Sequence, residues 1–464
     1  MTIWIDVEDL FHYGRLTARP SGIQRLSFEI CRALVTIPGA EVRFARHDRF
    51  GRSFQTTTWD EVYRIYERMA HAPQPKPDVP QAFGPKPLTR GALRVVAERI
   101  PVELREPLGQ AARAQIAALR AGWRSVRALP GLLRSPAGTA AAGEAQDARP
   151  SEPLAGLAKP GDTLCVFGSP WLHRDYGPMV EKAKREMGLG FALLVYDLIP
   201  VVRTEFVIPS LTEHFTRWYS ACLPLADRVF AISKATARDV EAWSDRTGLP
   251  LARPVIPIPI GTGFSDDRPV AEAEAAATPL PRGLTPGGYT LFVSTIEARK
   301  NHALAFRVWR RLLDELPPER VPTLVFAGRV GWMVADLMQQ IENSRNLDGK
   351  LIIVENPSDA ELAALYRGCR FTLFPSHYEG WGLPVTESLG FGKVCLASDR
   401  ASIPEAGGPF CLYLDPDNAT GATALIRRVI EEPGLVEGMA AKIRAEFRPV
   451  PWSDTAHAVL GALA

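Results

Sequence analysis

The sequence predicts an α/β protein built on two parallel sheets, each covered by helices on both faces. Two observations carry that prediction. Short, near-continuous apolar runs alternate with segments whose apolar residues recur at helical spacing, and this alternation fills both halves of the chain. The chain is also long enough, at 464 residues with 46% hydrophobic and 23% charged, for roughly two to three domains with real cores.

The second half is the more regular. "YTLFVST", "TLVFAG", "KLIIVE", "RFTLFPS" and "KVCLASD" read as strands. Between the first two lies "HALAFRVWRRLLDEL", with Leu304, Val308, Trp309, Leu312 and Leu313 on one helical face. "WMVADLMQQIENS" and "SDAELAALYRGC" are the next helices; Ser358 and Glu361 form a capping box at the start of the second. "PVTESLGF" is a short helix with Pro384 in its first turn. This predicts a Rossmann-like domain over 289–449.

The first half repeats the pattern less evenly. Strands are expected at "TIWIDV", "EVRFARH", "TLCVFGS", "FALLVYD", "RVFAIS" and "VIPIPI", and helices at "GIQRLSFEICRAL", "SLTEHFTRWYSACLPL" and "KATARDVEAW". This predicts a second Rossmann-like domain over 1–264, interrupted by an insertion over about 85–158. Residues 265–288 have linker composition, and 450–464 read as a further helix, expected to pack back on the first domain.

Within the insertion, residues 88–134 carry nine arginines against three glutamates, interleaved with Leu, Val, Ile and Trp123. Two readings stand: a solvated helical hairpin packed on the domain, or an interfacial helix on an anionic membrane surface. The formal net charge of +2 makes no case for a nucleic-acid partner. Six scattered cysteines without a CxxC pair fit free thiols in a reducing compartment and argue against a disulfide scaffold or a zinc site. The opening "MTIWIDVEDLFHYGR" lacks the basic and apolar regions of a signal peptide, and no apolar run reaches spanning length. The expectation is a cytoplasmic protein.

Chemistry is expected beyond the carboxyl ends of the strands, where open parallel sheets bind their ligands. After "RFTLFPS" come His377, Tyr378, Glu379, Gly380, Trp381, Gly382 and Leu383, and then a helix. Gly380 and Gly382 let backbone approach a ligand, and the free N–H groups of the helix start favour phosphate. Glu387, read as lying in the first helical turn, can accept from two sugar hydroxyls; Glu379 can meet those of a second sugar. The alternative is that Glu387 complements the helix dipole and the glycines only turn the chain. Arg299 and Lys300 in "IEARKN" follow another strand and can neutralise a departing diphosphate; a solvated pair is the alternative. Arg329 in "FAGRVGW" reads as structural. Neither a P-loop nor a GxGxxG at a strand-to-helix turn is present, which disfavours kinases, ATPases and dehydrogenases.

With these strings in order, the chain resembles the retaining glycosyltransferases of family 4, which have the GT-B fold of two Rossmann-like domains facing each other across a cleft. The motifs are "EGWGLPVTE", "IEARKN", "FAGRVGW", "NPSDAELAALYRGCRFTLFPSHYEG" and "RVFAISKAT", with "SGIQR" and "YDLIP" marking a branch of the family. The resemblance covers the second domain throughout, the first in patches, and the arginine-rich insertion not at all. It implies that Glu387 holds the donor ribose, Glu379 faces the donor sugar, Lys300 binds the diphosphate with Arg299 beside it, and the amides of Gly380–Leu383 contact sugar and phosphate. His377 joins the donor side. Gly22 would lie near the phosphates; Ser21 as a plain helix N-cap is the alternative there. Asp197 ends a strand and is expected to face the cleft. Relatives carry His-Asp where this chain reads Tyr196-Asp197, so Tyr196 and His173 stand as acceptor-side candidates. The implied reaction needs no metal and no cofactor beyond the nucleotide-diphosphate sugar, and its acceptor is a glycan, often lipid-linked at the inner membrane face. A non-catalytic scaffold of the same fold, binding nucleotide or lipid, is the competing reading.

Overall fold

Two sheets of the same winding organise the protein. A computed structural model describes residues 1–16, 20–48, 51–70, 151–171, 173–263, 278–281 and 283–464. The arginine-rich stretch 88–134 and most of the expected linker lie outside the described residues.

The first sheet contains β1 (Thr2–Asp6), β2 (Glu41–His47), β3 (Phe54–Thr57), β4 (Thr163–Val166), β5 (Gly190–Val195), β6 (Arg228–Ala231) and β7 (Ile256–Pro257), in the order β3-β2-β1-β4-β5-β6-β7. Its pairs are parallel except β2 with β3. Around it lie α1 (Glu8–Leu16), α2 (Gly22–Thr36), α3 (Trp59–Ala70), α4 (Tyr176–Met187), α5 (Ile199–Val202), α6 (Pro209–Cys222) and α7 (Lys234–Thr247). Strands β1 and β4 are buried at every position, which explains their unbroken apolar reading. The run "VIPIPI" yields only the two residues of β7, because Pro257 and Pro259 bring no N–H to a ladder.

The second sheet contains β8 (Tyr289–Val293), β9 (Thr323–Ala327), β10 (Leu351–Val354), β11 (Phe371–Phe374), β12 (Cys395–Ser398) and β13 (Cys411–Leu414), all parallel, in the order β10-β9-β8-β11-β12-β13. Its helices are α8 (His302–Glu315), α9 (Ala335–Asn343), α10 (Asp359–Gly368), α11 (Leu383–Gly390), α12 (Ile403–Gly407), α13 (Ala419–Glu431) and α14 (Pro433–Glu446). The capping box at α10 is formed: the Ser358 hydroxyl accepts from the Glu361 N–H, and the Glu361 carboxylate accepts from the Ser358 N–H at 2.7 Å.

In each sheet the winding reverses between two neighbouring central strands, β1 and β4 in the first, β8 and β11 in the second. Such reversals open a crevice beyond the carboxyl ends of the strands, and this is where α/β sheets place ligands. The last helix, α15 (Trp452–Leu463), belongs to the first half in space: Trp452, Ala456 and Val459 lie in the same buried cluster as Ile3, Leu26 and Ile260. All six cysteines are buried and unpaired. Among the described residues no helix is long and apolar enough to cross a membrane.

Candidate functional site

Because β8 and β11 are neighbours, the loops that follow them meet. Residues 298–300 form a single 3-10 turn after β8, and Asn301 closes it in a left-handed conformation (φ 63°). Its side-chain amide donates to the carbonyl of Pro416 at 2.9 Å, which fixes the turn. Arg299 and Lys300 thus project toward the loop after β11. Glu379 in that loop is 8% exposed and receives both cations: Lys300 Nζ lies 2.6 Å from Oε1, and Arg299 Nη1 2.7 Å from Oε2. Arg299 also donates to Glu297 Oε1 at 2.7 Å and to the Tyr378 carbonyl at 2.6 Å. Burial pushes the Glu379 carboxyl up, but Arg299 and Lys300 outweigh it and hold the group down to about 2. Burial and the Arg299 charge push Lys300 below the ordinary lysine range, against the pull of Glu379. The four groups Glu297, Arg299, Lys300 and Glu379 form one buried network.

The first half of the chain closes on this network. Gly380 packs so tightly on the loop after β5 that a Cβ there would lie 2.1 Å from the Tyr196 carbonyl oxygen and 3.2 Å from the Asp197 Cβ. Asp197 is thereby within the field of Arg299, Glu379 and Lys300. Burial raises its carboxyl above the usual range, the Arg299 charge opposes this, and its Oδ1 accepts from the Ile199 N–H at 3.0 Å. The Thr236 hydroxyl lies 3.3 Å from the Tyr196 carbonyl and 3.4 Å from that of Gly380. Further ties cross between the halves. The Tyr378 hydroxyl donates to Asp239 at 2.6 Å, and Glu405 accepts from the Lys234 and Ala235 N–H groups, both at 2.8 Å, at the start of α7.

Gly382 precedes α11 with φ 127°, a conformation that favours glycine. Leu383 begins α11 and touches the start of α2; a Cβ on Gly22 would meet Leu383 Cδ1 at 3.7 Å. Two helix N-termini, one from each half, therefore meet in the crevice, the arrangement that suits a diphosphate. The Ser21 hydroxyl does not cap α2; it hydrogen-bonds the Gln24 side chain. Glu387 is the fifth residue of α11, just past the first turn in which the sequence placed it. Its Oε2 accepts from the Tyr366 hydroxyl at 2.8 Å. Burial raises its carboxyl, while Tyr366 and Arg25 pull it back.

Other expected residues are placed differently. The ring of Tyr196 is buried in the first-half core, and its hydroxyl donates to the Phe167 carbonyl, so it holds the loop rather than presenting a hydroxyl to an acceptor. His173 joins a separate cluster beyond β1 and β2. There its Nε2 is 2.9 Å from the Gly51 carbonyl, and its ring meets the edges of His47 and Tyr176. His377 stacks on Phe206 at 5.3 Å between ring centroids, and its Nδ1 is 3.2 Å from Asp417 Oδ1. Trp381 packs against both halves, and its indole nitrogen is buried without a partner. Arg329 is exposed. Among the described residues no three His, Cys, Asp or Glu side chains converge as metal ligands.

Sequence reasoning passed over Glu297, Tyr366 and Arg25. Each lies in a motif already singled out, but nothing in a linear string shows which carboxylate steadies which cation.

The comparisons with known proteins meet this geometry at the same loops. Residues 285–446 match the glycosyl transferases group 1 family. That glycosyl transferases group 1 segment contains every residue of the charged network and both ends of α11. Over 217 residues the chain is 29% identical to the serotype-specific mannosyltransferase WbdA of Escherichia coli, which covers 44% of this chain and 25% of that protein. Over 167 residues it is 29% identical to the O-antigen chain mannosyltransferase B of Escherichia coli, covering 36% and 43%. The chain thus matches less than half the length of these relatives. The solved structure of Anabaena Alr3699/HepE in complex with UDP and glucose aligns over 100% of this chain and 99% of its own, with TM-score 0.57 and 12% identity. A UDP-forming trehalose-phosphate synthase from Burkholderia xenovorans aligns over 67% and 75%, with TM-score 0.52 and 18% identity. The fold is GT-B.

Proposed function

We propose that this protein is a retaining glycosyltransferase that moves mannose, or a related hexose or deoxyhexose such as rhamnose, from a nucleotide-diphosphate sugar to a glycan acceptor. The observation that carries the proposal is the meeting of Arg299, Lys300, Glu379 and Asp197 in the crevice where the starts of α2 and α11 converge. The likeness to a serotype-specific mannosyltransferase and an O-antigen chain mannosyltransferase supports the sugar and a role in surface polysaccharide or O-antigen synthesis; a lipid-linked acceptor at the cytoplasmic membrane face is part of this reading.

In this reading Glu387 accepts the donor ribose hydroxyls, and the amides at the starts of α2 and α11 receive the diphosphate. Without donor, Lys300 and Arg299 are neutralised by Glu379. With donor, the two cations turn to the diphosphate and Glu379 is released to the hydroxyls of the transferred sugar. The bond between the sugar C1 and the phosphate oxygen breaks, and the acceptor oxygen bonds C1 from the same face. The acceptor proton leaves on the departing phosphate. The two cations and the helix amides stabilise the growing negative charge, so no metal is required. Asp197 lies beside these groups from the opposite half and is the candidate for orienting the acceptor hydroxyl.

The test is a thermal-shift panel with UDP, GDP, dTDP and ADP. Binding at a hundredfold excess over Kd stabilises the folded state by about 2.7 kcal/mol. One nucleotide should stand out, and Glu387→Ala should abolish its shift. With the matching sugar donor, Lys300→Ala should chiefly lower kcat and Glu387→Ala should chiefly raise the donor KM. If no nucleotide shifts the melt and no product forms, the catalytic reading fails and a binding scaffold replaces it.

A further inference from the structure

Tyr366 stands outside the charged network, and packing explains its ring but not its hydroxyl. The ring is 1% exposed, lies in a buried cluster with Leu291 and Val325, and stacks on Phe391 at 5.1 Å between centroids. A phenyl ring would serve there as well. A buried hydroxyl costs stability unless it is hydrogen-bonded. This one spends its single proton on Glu387, whose Oε2 lies at 2.8 Å against 3.4 Å for the Pro384 carbonyl. Pro384, Glu387 and Phe391 follow one another at helical spacing along α11 and just past its end, so Tyr366 lies along one face of that helix. Its own place is set by α10, whose start carries the capping box. Among the described residues Glu387 has no other hydrogen-bond partner, so the rest of its half-buried carboxylate is left for a ligand.

We propose that Tyr366 is a positioning residue for the donor: its hydroxyl locks the Glu387 carboxylate in the orientation that accepts the ribose hydroxyls, and so makes the site prefer a ribonucleotide to its 2′-deoxy form. This rests on Glu387 holding the ribose. The last torsion of a glutamate is broad, so a carboxylate without a partner turns freely. A donor at 2.8 Å on Oε2 fixes its plane before any ligand arrives. Oε1 and the open side of Oε2 then present themselves together, as two neighbouring hydroxyls on one ring require. A freely turning carboxylate would have to be ordered at each binding event, and preorganisation removes that cost. Burial raises the Glu387 carboxyl and the Tyr366 hydrogen bond opposes this, so the contact that aims the group also favours its ionised, accepting form. The 2′-hydroxyl is the group this arrangement reads, because a deoxy sugar leaves one aimed acceptor of the site unpaired.

The test is calorimetric titration of UDP, GDP, ADP and 5-methyl-UDP, each beside its 2′-deoxy form, into the wild type, Tyr366→Phe and Glu387→Ala. Phenylalanine keeps the ring, its stack on Phe391 and its share of the core, so only the hydroxyl is lost. With whichever base binds, the wild type should prefer the ribose form by on the order of tenfold, the worth of one hydrogen bond to a charged group. Tyr366→Phe should weaken the ribose form several-fold and leave the deoxy form near its wild-type Kd, so that the preference shrinks. Glu387→Ala should lose the preference outright. With the matching sugar donor, Tyr366→Phe should raise the donor KM at nearly unchanged kcat. Equal losses for both forms in Tyr366→Phe would overturn the proposal and leave Tyr366 as packing. An unchanged preference in Tyr366→Phe, with the preference lost in Glu387→Ala, would also overturn it while sparing the ribose assignment. If Glu387→Ala kept the wild-type preference, the ribose assignment itself would fall, and this inference with it.

Discussion

Gly380 and Gly382 share one loop but are glycines for different reasons, and this yields a sharp prediction. At Gly380 the constraint is space. An added Cβ would lie 2.1 Å from the Tyr196 carbonyl oxygen, against about 3.3 Å for an ordinary carbon–oxygen contact. The two loops must part by roughly 1 Å. Overpacking of this kind costs about 1–3 kcal/mol. It also strains the Thr236 hydroxyl contact, worth about 1 kcal/mol. The penalty falls on the arrangement in which the halves touch, so Gly380→Ala should lower stability little and activity much. A misplacement of roughly 1 Å between reacting groups lowers the rate on the order of a hundredfold. At Gly382 the constraint is backbone: the nearest atom to an added Cβ is 3.6 Å away, but φ is 127°. There an alanine costs about 1–3 kcal/mol in strain at the start of α11, and nucleotide affinity should fall first. The assay is nucleoside diphosphate release from the donor sugar, with nucleotide Kd by calorimetry and Tm alongside. If Gly380→Ala kept wild-type kcat/KM, contact between Tyr196 and Gly380 would not be needed for turnover, and the reasoning would be refuted.

Two further outcomes follow from the same structure, and a third from the sequence. Glu379, held down to about 2, contributes stability that is fully present above its unfolded pKa and is lost as pH falls from about 4.5 toward 2. Glu379→Gln should therefore flatten the acid limb of a Tm-against-pH curve in that window. At neutral pH it should destabilise by roughly 3 kcal/mol, because buried Arg299 and Lys300 lose their shared counter-ion. Trp452→Ala should cost about 3–5 kcal/mol, since the ring fills the space over Gly261 and its indole N–H donates to the Gly263 carbonyl at 2.8 Å; differential scanning calorimetry would read a drop in Tm on the order of 10 °C. Deleting residues 88–134 should reduce sedimentation with anionic vesicles if that arginine-rich stretch docks on lipid, and leave it unchanged if the stretch only packs.

What the sequence made legible depended on locality. Near-continuous strands such as "YTLFV" and "TLVFA" declare themselves because both of their faces are buried. The capping box at Ser358 is equally plain, because its partners are three residues apart. β3 and its antiparallel pairing were missed, since "FQTT" has no apolar run and a short edge strand needs none. The charged site was legible as a list and not as a circuit. Arg299 and Glu379 are far apart in the chain, and only the adjacency of β8 and β11 makes them an ion pair. Tyr196 misled for a related reason. Its position at a strand end pointed to the crevice, whereas an aromatic ring at that place is better satisfied under the helix of "SGIQR".

The return of α15 to the first half bears on how the molecule is made. Trp452, Ala456 and Val459 complete a core begun by Ile3 and Ile5. During synthesis the lobe that leaves the ribosome first must wait, with that apolar face bare, until the second lobe has been translated. Its assembly is a circular task in which the earliest strand and this late helix finish together. A nick or frameshift ahead of Trp452 would thus harm the distant, earlier-made lobe more than the one in which it falls.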